Sequence, residues 1–111
     1  MEIKIIWSDF AKTKLREIHN YYKLKASPIL AEKLIQGIID STKQLMEYPE
    51  SGRLEYYKTN LNFLFRSVKY KKYKVIYIYR EDRIEVVHVF DMRQDPGKII
   101  EEIYQIKKDL D

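Results

Sequence analysis

The spacing of apolar residues changes once along this chain, and that change limits the folds it can form. In residues 9–46, apolar side chains recur every three or four positions, which is the period of an amphipathic helix. From about Leu61 onward the period is that of a strand, with β-branched and aromatic residues between polar turns. Helices followed by strands predict an α+β domain.

Two helices are predicted in the first half, after a short strand in which apolar residues alternate over residues 3–7. The first helix runs from about Asp9 to Leu24, with Ser8 as its N-cap. The second starts at Ser27-Pro28, because serine suits the cap and proline the first helical position, and it stops before Pro49. The short link between them implies an antiparallel helical hairpin.

The second half predicts an antiparallel meander and a last helix. The strands are Phe63–Lys69, Tyr73–Tyr79 and Ile84–Phe90. Lys71-Lys72 and Glu81-Asp82 are the predicted turns, and Glu50–Arg53 is read as a loop. A helix over Ile99–Leu110 would put four apolar residues on one side: Ile99, Ile103, Ile106 and Leu110.

The predicted order is therefore β-α-α-β-β-β(-α), with a helical hairpin packed on a small, mainly antiparallel sheet. In the middle strands, apolar residues occupy both the odd and the even positions, so apolar side chains point to both faces of the sheet and both faces need some cover. The hairpin can cover one face, and either the chain's own end or a partner can cover the other. We expect a single domain over residues 1–111, with a core at 1–96 and a C-terminal helical extension at 97–111.

Composition excludes several classes of site. The 111 residues contain no cysteine and two distant histidines, so neither a disulfide framework nor a metal site is predicted, and no cofactor is implied. No apolar run approaches the roughly 20 residues of a membrane span. The first ten residues lack the apolar core of a signal peptide. The expected location is the cytoplasm, with no membrane partner.

The net charge of +4 is concentrated in Tyr56–Arg80, which has no acidic residue. This segment holds seven basic residues: Lys58, Arg66, Lys69, Lys71, Lys72, Lys74 and Arg80. Six tyrosines lie among them: Tyr56, Tyr57, Tyr70, Tyr73, Tyr77 and Tyr79. Such a segment either attracts a polyanion and stacks unpaired bases, or is a hairpin kept soluble by lysines with half-buried tyrosines.

Several segments match one known family in order and spacing. They are Trp7, Ala11, Leu15 and Ile18 at the start, Ala31 and Ile38 in the second helix, the Pro-x-x-Gly-Arg element in Tyr48–Arg53, Arg66, Tyr73–Tyr77, and Val89–Pro96 with its Arg-Gln-Asp-Pro ending. Together they resemble the RelE/ParE superfamily of toxins from type II toxin–antitoxin systems, over about Ile3 to Pro96. The Pro-x-x-Gly-Arg element resembles the ParE and plasmid-stabilisation branch.

The resemblance implies a toxin that arrests growth and is held inactive by a cognate antitoxin protein. ParE-like members poison DNA gyrase, which is the preferred interpretation here. RelE-like members are ribosome-dependent, metal-independent mRNA endonucleases, which is the first alternative. A second alternative is an inactive member that keeps antitoxin binding and autoregulation.

An endonuclease would need cations on the scissile phosphate and a group that moves protons. The resemblance places Arg66, Lys74 and Arg93 at the cationic positions. If these cations converge on one concave face they could clamp the scissile phosphate, although Arg93 could instead pair with Asp91 or Asp95. The family's acid/base position falls on Ile99, which cannot transfer a proton. His88 has a suitable pKa range, but its alternation groups it with Val86 and Phe90 as a core histidine. Tyr104 is a further substitute.

Four residues are candidates for partner binding: Arg53, Tyr73, Tyr77 and Tyr22. Arg53 either ties its loop to the sheet or contacts a partner, and Gly52 before it is expected to supply an unusual backbone angle. Substitutions separate the two activities. Arg93→Ala should abolish cleavage by an endonuclease, whereas changes in the C-terminal helix should matter more for a toxin acting by protein contact.

Overall fold

The computed structural model describes residues 3–57, 59 and 62–110, with the backbone alone at 105–110. Lys58 and Leu61 lie outside the described residues, as do the side chains of Ile106 and Leu110. The strands are β1 (Lys4–Trp7), β2 (Arg53–Glu55), β3 (Phe65–Tyr70), β4 (Tyr73–Arg80) and β5 (Arg83–Asp91). The helices are α1 (Asp9–Lys25), α2 (Pro28–Asp40) and α3 (Gly97–Leu110), with a 3₁₀ turn at Lys43–Met46.

Each helix of the hairpin begins at its predicted N-cap, Ser8 for α1 and Ser27 for α2. The Ser8 hydroxyl accepts a hydrogen bond from the Ala11 N–H at 3.1 Å, and the Ser27 hydroxyl accepts one from the Leu30 N–H at 3.1 Å. Each serine thereby satisfies one N–H that the first helical turn leaves without a partner. Pro28 occupies the first turn of α2, where its missing N–H costs nothing.

The second helix ends earlier than the apolar pattern suggests. It stops at Asp40, and a 3₁₀ turn carries Leu45 into the core. The hydroxyls of Ser41 and Thr42 donate to the carbonyls of Ile38 and Ile39, at 2.6 and 2.7 Å. Side chains that bond the preceding turn compete with the helical ladder, which accounts for the early end.

The five strands form one sheet in the order β1-β5-β4-β3-β2. β1 runs parallel to β5, and the other pairs are antiparallel. The β2 edge strand was missed, because three residues are too few to show an alternation and Arg53 was read as part of a loop. Both predicted hairpin turns are present, with positive φ at Lys71, Glu81 and Asp82.

Both sheet faces are covered by the chain itself. The hairpin-side cluster contains Ala11, Ile38, Leu45, Val68, Tyr73, Val75, Tyr77, Ile84, Val86 and Val89. The α3-side cluster contains Phe65, Ile76, Ile78, Val87, Phe90, Ile99 and Ile103. The predicted last helix therefore packs on the face that the hairpin leaves open.

A β-bulge changes which residues of β5 share a face. Tyr77 lies opposite Val86, but Ile76 lies opposite His88, so Val87 is the extra residue. His88 consequently lies on the α3 side with Phe90, whereas Val86 belongs to the hairpin-side cluster. The predicted grouping of His88 with Val86 was wrong for this reason, although the prediction of a core histidine is confirmed at 2% exposure.

Within the described ranges, no helix has the length and apolar character needed to cross a membrane.

Candidate functional site

The loop that contains the Pro-x-x-Gly-Arg element is held by two side chains of the sheet. The Tyr77 hydroxyl donates to the Pro49 carbonyl at 2.8 Å and accepts from the Gly52 N–H at 3.0 Å. Arg66 Nη1 donates to the carbonyls of Glu50 and Gly52, at 2.8 and 3.1 Å. These four bonds fix the loop against β3 and β4.

This arrangement corrects two predictions about the loop. Arg66, not Arg53, ties the loop to the sheet, while Arg53 is exposed at the start of β2. Gly52 does not adopt a positive φ. It is required because a Cβ at this position would lie 2.3 Å from the Tyr77 hydroxyl oxygen. Tyr77 is fully buried, and burial raises its pKa. Its hydroxyl holds the loop from inside the protein through the bonds to Pro49 and Gly52.

Lys74 contacts a polar cluster on the other side of the sheet. Its Nζ lies 2.7 Å from Glu55 Oε1, and Glu55 also accepts from the Ser67 and Tyr57 hydroxyls at 3.1 and 3.0 Å. Burial opposes the charged form of Glu55, but the bonds from Lys74, Tyr57 and Ser67 outweigh it and lower its pKa. Burial and the nearby Glu55 raise the pKa of Tyr57.

The structure does not bring Arg66 and Lys74 together. Arg66 is paired with Tyr77 of the hairpin-side cluster, and Ser67, the next residue, points to the opposite face. Because Ser67 and Lys74 contact the same carboxylate, Lys74 lies on that opposite face. The prediction that these cations converge on one concave face was therefore wrong.

The Glu55–Lys74 pair predicts a pH dependence of stability. Glu55→Gln should lower the free energy of unfolding by about 2 kcal/mol at pH 7, since it leaves Lys74 without its charged partner. The pKa of Glu55 is depressed on folding, so its contribution is present above the ordinary value of 4.5 and is lost as the pH falls through the folded value.

Urea denaturation of the wild type and Glu55→Gln from pH 7 to pH 3 measures this difference, which should shrink below about pH 4.5. Glu47→Gln at an exposed position is the control and should differ little from wild type throughout. A Glu55→Gln difference that stays constant down to pH 3 would contradict the assignment.

Arg93 lies beyond the end of β5 and is 64% exposed. Its Nη2 is 2.7 Å from Asp91 Oδ2, and the Arg93 N–H donates to Asp91 Oδ1 at 2.9 Å. The hydrogen bond from Arg93 lowers the pKa of Asp91. Asp95 instead accepts from the Gly97 N–H at the start of α3. Arg93 thus pairs with Asp91, the first of the two predicted partners.

His88 is buried where β5, α1 and α3 meet. Its Nε2 lies 3.2 Å from Glu102 Oε1, and Lys14 Nζ lies 3.4 Å from Glu102 Oε2. Phe10 and Phe90 contact the imidazole ring edge-on. Burial lowers the pKa of His88 despite the opposing effect of Glu102, which favours the neutral form of the ring.

A cavity of about 320 Å³ lies between α1, the end of β5 and α3. It brings together four residues singled out from the sequence: His88, Arg93, Tyr22 and Tyr73. Sequence reasoning had not assigned Lys14, Glu17 and Glu102 to this site. The helical spacing of Lys14, Glu17 and Tyr21 would have indicated a shared face, but nothing in the sequence indicates that this face meets β5.

Tyr22 and Tyr73 contact a cation of the chain itself at the edge of this cavity. Lys72 Nζ donates to the Tyr22 hydroxyl and lies 4.7 Å from the Tyr22 ring centre and 5.7 Å from that of Tyr73. Tyr73 is 3% exposed. Its buried ring therefore presents little surface to a partner, while the neighbouring Tyr21 is 53% exposed.

The basic, tyrosine-rich segment is partly neutralised by acids from outside it. Lys74 pairs with Glu55, and Arg80 Nε lies 3.1 Å from Glu85 Oε2. Tyr56 is 87% exposed, whereas the other five tyrosines of the segment are buried or half-buried. The hairpin interpretation with half-buried tyrosines accounts for most of the segment, and Tyr56 is its exposed exception.

Comparisons with known proteins agree with the fold. A family model described as the ParE toxin of type II toxin–antitoxin systems, parDE, matches residues 5–96. A solved structure titled the chromosomal ParDE toxin–antitoxin system from P. aeruginosa is similar, with a TM-score of 0.66 and 17% identity, over 80% of this chain and 95% of that one. No curated protein gave a significant match. From the family match, the chain belongs to the ParE toxin family of type II toxin–antitoxin systems.

Proposed function

We propose that this toxin arrests growth in the ParE manner, by inhibiting DNA gyrase through protein contacts. The observation that carries the proposal is the separation of Arg66 from Lys74. Arg66 is committed to the Glu50 and Gly52 carbonyls on the hairpin side, and Lys74 to Glu55 on the α3 side. A phosphate clamp would need these cations on one face with free donors.

The groups that could move a proton also favour contact over cleavage. His88 lines the cavity, but its side chain is 2% exposed and bonded to Glu102, and burial lowers its pKa. Ile99, at the position where RelE-like members have their acid/base residue, is buried in the α3-side cluster. Tyr104 is 46% exposed on α3, next to the buried Ile103. For RelE-like cleavage, these side chains would first have to move so that one of them could transfer a proton.

The cognate antitoxin is the expected protein partner, with cytoplasmic gyrase as the target. Among the candidate partner-binding residues, Arg53 is exposed, and Tyr22 and Tyr73 line the cavity beside α1. Tyr77 acts through the loop that it holds. We propose that the antitoxin covers the rim of the cavity, where Tyr21 and Arg93 are exposed.

The direct test is supercoiling by purified gyrase in the presence of the full-length toxin. Loss of supercoiling, restored by the antitoxin, is the expected result. Primer extension on an mRNA translated in a cell-free system is the companion measurement. Ribosome-dependent cuts within the reading frame, with supercoiling intact, would replace the proposal with the endonuclease.

Substitutions make the comparison sharper. If the exposed side of α3 contacts gyrase, Lys98→Ala combined with Tyr104→Ala should raise the toxin concentration for half-inhibition about tenfold or more. Arg93→Ala should change it less, because Arg93 has no transition state to stabilise under this proposal. The opposite ranking would contradict it, and normal growth on expression of the toxin alone would indicate an inactive member.

A further inference from the structure

We infer that the α3 side of the sheet carries, at its β2–β3 edge, a surface for the phosphodiester backbone of nucleic acid. The surface consists of Arg53, Lys69 and Lys74, termed the basic strip below. This inference goes beyond gyrase inhibition and does not depend on it, since the strip would bind phosphates whichever enzyme the toxin inhibits.

Strand pairing brings the three cations together although they are far apart in sequence. Lys69 lies directly opposite Lys74, and Arg53 lies opposite Ser67, two residues before Lys69. Ser67 and Lys74 both contact Glu55, which places this set on the α3 side. Directly opposite side chains start about 5 Å apart and diagonal ones about 7–8 Å apart, so the strip is compact.

Two of the three charges of the strip have no acidic partner among the described residues. Lys74 has Glu55 as its partner, at 2.7 Å. Lys69 and Arg53 are exposed, and neither forms an ion pair within the part of the chain that the structure describes. Because Glu55 offsets the charge of Lys74, the net positive charge of the strip rests on Arg53 and Lys69. A bound anion would neutralise that charge.

Two features favour nucleic acid over an acidic protein as that anion. A nucleic-acid strand carries one charge per roughly 3.4 Å of its axis, which suits closely spaced cations on long, mobile side chains. Tyr56 follows β2 at the same edge of the sheet and is 87% exposed. An exposed aromatic ring three residues along the chain from Arg53 can stack an unpaired base, a contact that a carboxylate side chain does not use.

The test is fluorescence anisotropy of the full chain, without gyrase, over a series of salt concentrations. The probes are a short duplex DNA and a single-stranded RNA of equal length, with polyglutamate as competitor. Arg53→Gln combined with Lys69→Gln removes the two unpaired charges. Arg16→Gln combined with Lys23→Gln is the matched control, because it removes one arginine and one lysine from exposed positions of α1.

Binding to at least one nucleic-acid probe is expected, with the slope of log affinity against log salt reduced by about two in the strip variant and unchanged in the control. Tyr56→Ala should weaken binding of the single-stranded probe about tenfold and spare the duplex. Equal loss of slope in both double variants would overturn the inference, since net charge alone would explain the binding. So would the absence of binding at low salt, or displacement by polyglutamate at equal charge concentration, which would indicate an acidic protein partner.

Discussion

Gly52→Ala is expected to lower the free energy of unfolding by about 3 kcal/mol. The new methyl group would lie 2.3 Å from the Tyr77 hydroxyl oxygen and 2.6 Å from a ring carbon. Tyr77 is fully buried, and its hydroxyl donates to the Pro49 carbonyl and accepts from the Gly52 N–H. Neither the ring nor the loop can therefore move without losing a hydrogen bond. Urea denaturation measures the loss.

Gly37→Ala is the matched control for this prediction. Its methyl group would meet the Tyr70 ring at 2.2 Å, an equally short approach. Tyr70 is only half-buried, however, and its ring can turn toward solvent. Alanine also favours a helix by about 1 kcal/mol relative to glycine. Gly37→Ala should therefore stay within about 1 kcal/mol of wild type, and similar losses at both glycines would contradict the account of Gly52.

A double variant tests the Tyr77 contact itself. Tyr77→Phe removes the atom nearest to the new methyl group but leaves the ring carbons. Gly52→Ala should thus cost less in a Tyr77→Phe background than in the wild type, by about 1 kcal/mol. If Gly52→Ala costs the same free energy in both backgrounds, its effect does not come from the contact with the Tyr77 hydroxyl.

Ile103→Ala is expected to destabilise the protein by about 3 kcal/mol. Ile103 is fully buried against the α3-side cluster, together with Ile99. Truncating it leaves a cavity between α3 and the sheet, and the rigid strands beneath cannot close it. Tyr104→Ala, at the next position of the same helix, removes a larger but 46% exposed side chain and should cost less than about 1 kcal/mol.

Thermal and urea denaturation of these two variants distinguish a packed helix from a detached one. If α3 did not pack on the sheet, Ile103→Ala would have no more effect than Tyr104→Ala. Equal stability of the two variants would therefore contradict the packing of α3 on the α3-side cluster.

Local chemistry made much of the fold predictable. Ser8 and Ser27 mark the helix starts because capping involves neighbours three residues away. The β2 strand was not predictable in this way. Its three residues become a strand only by pairing with β3, a contact between residues 10 to 14 positions apart in the sequence.

The candidate site was less predictable, because pairing register decides which side chains meet. Arg66 and Lys74 do lie on neighbouring strands, as expected, but Arg66 pairs with Tyr77, so it faces away from Lys74. A one-residue change of register moves a side chain to the other face. The bulge near His88 had the same effect, since an extra residue in β5 reverses the alternation without any local signal.

The parallel pairing of β1 with β5 also determines when the sheet of this toxin can finish folding during synthesis of the chain. Ser8 and its hydrogen-bond acceptor, Val87, are 79 residues apart, so a nascent chain that has not reached β5 has no strand for β1 to join. The β3–β4 hairpin can form earlier from local contacts, whereas the last closure costs more chain entropy. Only after most of the chain has emerged from the ribosome can the first strand and α1 dock.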